Sequence, residues 1–191
     1  MSRVAGVVLA AGTSSRFGSH NKLLASYHGQ PMLRGVVETA LATGLEPVII
    51  VTGHDAGDVQ QALDGLDVVF SHNAGFETGQ ASSLKTGIAA VPDGCAGAMI
   101  LLGDMPDVSA DVINQLLDEF AGEACIVVPQ HGGVRGNPVI LGRASFAELN
   151  GITEDQGARG LLRGDNVRMI DVGTDAVLRD FDTPDSLKGR S

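Results

Sequence analysis

The residues best suited to chemistry begin at Leu9, where LAAGTSSRFGSHNKLL runs on from the apolar residues Val4, Val7 and Val8. Ala10, Ala11 and Gly12 carry little or no side chain, so a ligand can reach the backbone and meet its N–H groups, which attract phosphate oxygens. Thr13, Ser14 and Ser15 add hydroxyl donors, while Arg16 and Lys22 add a planar fork and a point charge. That combination suits a nucleoside triphosphate. The plainer alternative is a Gly/Ser turn with two solvated cations, and the stretch matches neither the P-loop pattern nor the dinucleotide fingerprint.

Asp104 follows Met99-Ile100-Leu101-Leu102-Gly103, which presents a carboxylate at the end of a buried strand, and Pro106 fixes the departing turn. Hard oxygen ligands of this kind suit Mg²⁺. Asp104 could instead cap the next helix, but Ser109 is better placed to do so. Asp182, in Asp180-Phe181-Asp182-Thr183-Pro184, reads equally as a second metal carboxylate or as the start of a short final helix. Gln80, Ser82 and Ser83 stand at the start of a helix whose positive end favours anions, with simple capping as the alternative. Asn137 and Arg135 flank a tight turn, and Arg159 follows a glycine at the head of a short helical run. The five histidines have no metal spacing, and Cys95 and Cys125 read as buried structural thiols. No G-x-S-x-G elbow or cysteine–histidine neighbour supplies a nucleophile.

The elements that must position these residues alternate. Apolar runs at 4–9, 47–51, 67–70, 98–102 and 124–128 read as strands, and helical periodicity marks 31–42, 58–63, 82–90 and 109–120. Such βαβ units predict a Rossmann-like single domain, an α/β/α three-layer fold with a mainly parallel sheet. After Val128 a His-Gly-Gly turn, a strand at 138–141, a small helix and a strand near 167–172 predict a small C-terminal β excursion over the active site. Ligands in such sheets bind beyond the carboxyl ends of the strands, where the opening loop and Asp104 would meet.

At 191 residues the chain is one domain, expected to divide into a nucleotide-binding half, about 1–128, and an acceptor-binding and closing half, about 129–191. The net charge of −10 argues against a nucleic-acid partner, so any phosphate site must be a local cationic pocket. The amino-terminal apolar run is broken at Gly6 and Gly12, too early for a signal peptide or membrane span, so the expected location is cytoplasmic.

The opening stretch resembles the signature of nucleotidyltransferases of the molybdenum-cofactor cytidylyltransferase type, L-A-A-G-x-S-x-R-[MF]-G-x-x-K-L-L. Here the spacer before Lys22 is one residue longer. The resemblance continues through Gly79–Leu84, Gly103–Pro106, Arg135–Pro138, Asp155–Arg159 and Asp180–Pro184, although Gln80-Ala81 replaces the more usual Met-Ser. It implies an Mg²⁺-dependent transferase with Arg16, Lys22 and Asp104 as its catalytic residues. Leu9, Ala10, Ala11, Gly12, Thr13, Ser14, Arg16 and Lys22 would bind the nucleotide, joined by Gln80, Ser82 and Ser83 along base and ribose. Asp104 and Asp182 would hold the metal, with Asp180 as the alternative second ligand, and Asn137 and Arg159 would contact the acceptor. The Ala10-Ala11-Gly12 opening is similar to cytidylyltransferases rather than guanylyltransferases, which implies CTP; the acceptor implied is molybdopterin, with transient contact to a molybdenum enzyme or its chaperone. Other small phosphorylated acceptors, a non-catalytic accessory role, and a dinucleotide oxidoreductase using Asp55 stand as alternatives.

Overall fold

The computed structural model describes residues 2–13, 21–151, 162 and 164–182. Strand β1 (Val4–Ala10) is followed by a short antiparallel pair, β2 (Ser26–Tyr27) and β3 (Gln30–Pro31), and helix α1 (Met32–Leu41). Next come β4 (Leu45–Thr52), α2 (Ala56–Ala62), β5 (Val69–His72), α3 (Gln80–Ala89), β6 (Gly97–Leu102) and α4 (Ala110–Asp118). The chain continues through β7 (Ile126–His131), β8 (Val134–Arg135), β9 (Val139–Gly142) and β10 (Val167–Asp171). The main sheet runs β10-β7-β9-β6-β1-β4-β5, with β8 pairing off β7. All neighbours along it are parallel except β9, which is antiparallel to both β6 and β7.

Alternating side chains of the central strands enter two cores on opposite faces of the sheet. Val8, Ile50 and Met99 pack with Leu33, Val37, Ile113 and Leu116 of α1 and α4. Val7, Ile49 and Ala98 pack with Leu84 and Ile88 of α3. Burial on both faces is why these strands read as continuous apolar runs, and it yields the three α/β/α layers expected from the alternation. Ser109 caps α4, its hydroxyl accepting from the Val112 N–H at 3.4 Å. Pro31 belongs to β3 and α1 begins at the next residue, so the proline sits just ahead of the first turn rather than inside it.

The C-terminal strands depart from the expected excursion over the site. Instead, β9 inserts into the middle of the main sheet and β10 extends its edge. Val139, Ile140 and Leu141 are each under a tenth exposed, so both faces of β9 need covering, and only an interior position supplies that. Among the described residues no helix is long and apolar enough to cross a membrane.

The strand order reverses at β1. β4 and β5 lie on one side of it and β6 on the other, so the loops leaving β1 and β6 diverge and leave a crevice at their carboxyl ends. Leu9 pairs with Leu102 in register, and the Gly103 N–H donates to the Leu9 carbonyl at 3.2 Å. The segment from Ala11 and the Asp104 turn therefore emerge side by side.

Candidate functional site

The crevice is built from the strand ends outward. Asn21 opens a short 3-10 turn at Lys22–Leu24, its side chain accepting from the Leu23 N–H at 3.1 Å, and Leu23 anchors that turn in the core. The turn holds Lys22 against the end of β6. There its Nζ donates to Asp104 Oδ2 and to Asp182 Oδ1, each at 2.6 Å. Lys22 and Asp104 side chains are only 17% and 18% exposed, so solvent screens this pair less than an ordinary surface bridge. Burial alone would pull the Lys22 pKa down; hydrogen bonds to Asp104 and Asp182, and their charges, outweigh it and hold the ammonium above its usual range.

Asp182 reaches this point through a specific anchor. The Phe181 N–H donates to the Asp104 carbonyl at 3.0 Å, which locks the late segment to the β6 turn. The Phe181 ring is buried with Tyr27 and Met32 and meets Tyr27 edge-on, centroids 5.3 Å apart. Tyr27 in turn donates its hydroxyl to Asp107, and Arg179 bridges Asp107 at 3.1 Å. With Phe181 pinned inward, Asp180 and Asp182 are carried to Asp104, and one oxygen from each of the three lies within 4.8 Å of the others. Octahedral Mg²⁺ at about 2.0–2.1 Å from its ligands spaces donor oxygens roughly 3–4 Å apart, so this all-carboxylate cluster could hold a divalent cation after a small closure.

Beside the cluster lies a cleft of about 330 Å³. Leu9, Ala11, Gly12 and Thr13 line it from the β1 end, and Lys22 and Asp104 join them. The segment leading into α3 contributes Phe76, Glu77, Gly79, Gln80 and Ser83. Helix α3 lies close to the sheet because Gly87 has no side chain: a Cβ there would stand 2.4 Å from Val7 Cγ1 and 2.8 Å from Val51 Cγ2. Buried Asn73 steadies the helix start, donating to the Ser82 and Ser83 hydroxyls at 2.8 and 3.0 Å. Ser82 also donates to the Gly79 carbonyl at 2.8 Å, so its hydroxyl ties down the helix start.

Lys22, Asp104 and Asp182 thus come together, and Leu9, Ala11, Gly12, Thr13, Gln80 and Ser83 face the same cleft. Ala10 points into the core and is 1% exposed. Asn137 sits outside the cleft, beside Leu101, Leu102 and Met105 behind the Asp104 turn, and its N–H donates to the Val177 carbonyl at 2.9 Å. Ser14, Arg16 and Arg159 lie outside the described residues. Phe76 and Glu77 line the cleft as well, and the signal for them in the sequence is an aromatic and an acid three and two residues before Gly79.

The description "MobA-like NTP transferase domain" belongs to the family model that matches residues 6–171. Over nearly their whole lengths two relatives are 29% identical: purine catabolism protein PucB of Bacillus subtilis (94% of this chain, 92% of that protein) and nicotine blue oxidoreductase of Paenarthrobacter nicotinovorans (96% and 94%). The chain also resembles bifunctional GlmU proteins; it spans 24% of the one from Chromohalobacter salexigens. Among solved structures, Rv0371c from Mycobacterium tuberculosis H37Rv is 32% identical with a TM-score of 0.80, the match covering 96% of this chain and 95% of that one. A complex of Rv0371c with manganese is similar at 30% identity and a TM-score of 0.73, covering 89% and 88%.

Proposed function

The chain belongs to the MobA-like NTP transferase domain family, and on that premise we propose that it transfers CMP from CTP to the phosphate of molybdopterin, releasing pyrophosphate. The observation that carries this reading is the meeting of Lys22, Asp104 and Asp182 at the edge of a cleft walled by the β1 loop and the start of α3. In this reading Arg16, Lys22 and the backbone N–H groups around Gly12 hold the triphosphate. Ala11, Gly12 and Thr13 let it approach the backbone, and Gln80 and Ser83 line base and ribose. Asp104 and Asp182, with Asp180 beside them, would hold Mg²⁺. When bound, the ion would neutralise negative charge on the triphosphate.

An acceptor phosphate oxygen attacks the α-phosphorus in line, the new P–O bond forms, and the bond to the bridging α,β-oxygen breaks. A phosphate monoester with a second pKa of about 6 is already ionised at neutral pH, so the chain needs no general base. The protein's contribution is alignment and fixed positive charge. Asn137 and Arg159 would serve the acceptor. The Asn137 backbone N–H is tied to the Val177 carbonyl, on the segment leading to Asp182.

The full-length similarity to nicotine blue oxidoreductase favours a second reading, in which a dinucleotide occupies the cleft and Asp55 reads its ribose. Asp55 stands at the head of α2 beside the end of β4, but the opening loop has the wrong glycine spacing for that fingerprint. Pyrophosphate detection with Mg²⁺, each of the four ribonucleoside triphosphates, and with or without molybdopterin separates the readings. Signal with CTP only when molybdopterin is present is expected. Signal with a sugar phosphate moves the acceptor, silence throughout favours an accessory role, and oxidation of a reduced nicotinamide dinucleotide instead favours the second reading.

A further inference from the structure

Lys22 occupies the ground a metal would need. Its Nζ lies 2.6 Å from one oxygen of Asp104 and 2.6 Å from one oxygen of Asp182, so the ammonium sits between the two carboxylates. A divalent cation taking those same oxygens at about 2.1 Å cannot share the gap with it, and one taking the other oxygens would still meet a like charge a few ångströms away. The same side chain also lines the cleft next to Gly12 and Thr13, where the proposed triphosphate lies. It therefore has two anionic partners within reach of one short turn, the aspartates and a polyphosphate.

We propose that Lys22 is an internal stand-in for the metal, holding Asp104 and Asp182 together in the ligand-free protein and leaving them when a triphosphate draws it into the cleft. Without Lys22 the aspartates would repel each other, so the stand-in keeps the site assembled. Its cost is weak metal binding in the absence of nucleotide. Nucleotide entry removes the competitor, and by reciprocity a bound metal frees Lys22 for the phosphates, so nucleotide and metal enter as a coupled pair. The coupling adds to whatever the two ligands gain by touching each other. This inference rests on the reading of Asp104 and Asp182 as metal ligands given above.

The test measures free Mn²⁺ by electron paramagnetic resonance during titration of the full-length protein, with and without α,β-methylene-CTP. Lys22→Met is expected to bind Mn²⁺ without nucleotide roughly ten- to hundredfold more tightly than wild type, the scale of losing one or two charge-assisted hydrogen bonds. Lys22→Arg, which keeps the charge, stays weak. The analogue should strengthen Mn²⁺ binding by a larger factor in wild type than in Lys22→Met, and Lys22→Ala repeats the comparison if the methionine variant folds poorly. Equal or weaker nucleotide-free binding by both uncharged variants, while wild type plus analogue still binds Mn²⁺ in a manner abolished by Asp104→Asn, overturns the stand-in alone. Absence of any Asp104-dependent binding, with or without analogue, overturns the metal reading and this inference with it.

Discussion

Replacing Gly87 by alanine pits two effects of known sign against each other. Alanine in a helix interior is favoured over glycine by about 1 kcal/mol, so propensity alone makes the substitution stabilising. Against this, the added Cβ would stand 2.4 Å from Val7 Cγ1 and 2.8 Å from Val51 Cγ2, where ordinary contact begins near 3.4 Å. Both valines are 0% exposed, and their β-branched side chains have few alternative rotamers in the middle of the sheet. Overpacking of this kind costs about 1–3 kcal/mol. The clash therefore wins, for a net loss of about 1 kcal/mol by chemical denaturation. Relief comes from the neighbour: in a Val7→Ala background Gly87→Ala should cost less by about 1 kcal/mol, the remaining penalty coming from Val51. Because α3 must rise from the sheet, Gln80 and Ser83 also shift, so CTP should bind more weakly to Gly87→Ala than to wild type. A stabilising Gly87→Ala, or one whose effect is unchanged in the Val7→Ala background, refutes the argument that close approach of α3 requires this glycine.

Three further outcomes follow from the site. Asp104→Asn keeps the side chain's shape and should abolish pyrophosphate release while leaving the far-ultraviolet circular dichroism spectrum unchanged; retained turnover would remove Asp104 from the reaction. Phe181→Ala should weaken Mn²⁺ binding up to ~100-fold in calorimetric titration, because a buried Phe→Ala change costs about 3–5 kcal/mol and this ring holds Asp180 and Asp182 to Asp104. The folded Lys22 ammonium titrates above its ordinary value of 10.5, so the stability it contributes is complete below that pH and is lost as pH rises through the higher folded value. Urea midpoints of wild type and Lys22→Met should therefore converge as pH rises beyond 10.5, and a gap that instead widens with pH would contradict the sign.

Much of the fold was legible because strands buried on both faces leave continuous apolar runs: Val4–Ala10 and Gly97–Leu102 stand where the sequence places them. The position of Asp104 was legible for the same reason, as a polar residue one glycine beyond such a run. Strand order was not, because an apolar segment such as Val139–Gly142 carries no mark of its partners, and β9 is antiparallel in the sheet interior rather than above the site. The ambiguity of Asp182 could not be broken locally, since Asp-Thr-Pro is the same whether it caps a helix or returns to a cleft. What decides its place is Phe181, whose backbone bond to Asp104 and packing on Tyr27 join residues far apart in sequence. Lys22 was legible as a cation near a phosphate loop, but its bridge to two aspartates depends on that same long-range closure.

In the proposed function this cleft joins a nucleotide to a phosphorylated acceptor. Mass spectrometry of molybdopterin incubated with CTP, Mg²⁺ and the wild-type protein tests it most directly. An acceptor heavier by one cytidylyl group (CMP less water) is expected, formed with an equal amount of pyrophosphate and absent when Asp104→Asn replaces wild type. An unmodified acceptor with every nucleoside triphosphate, from a protein that binds CTP and Mn²⁺, would contradict it.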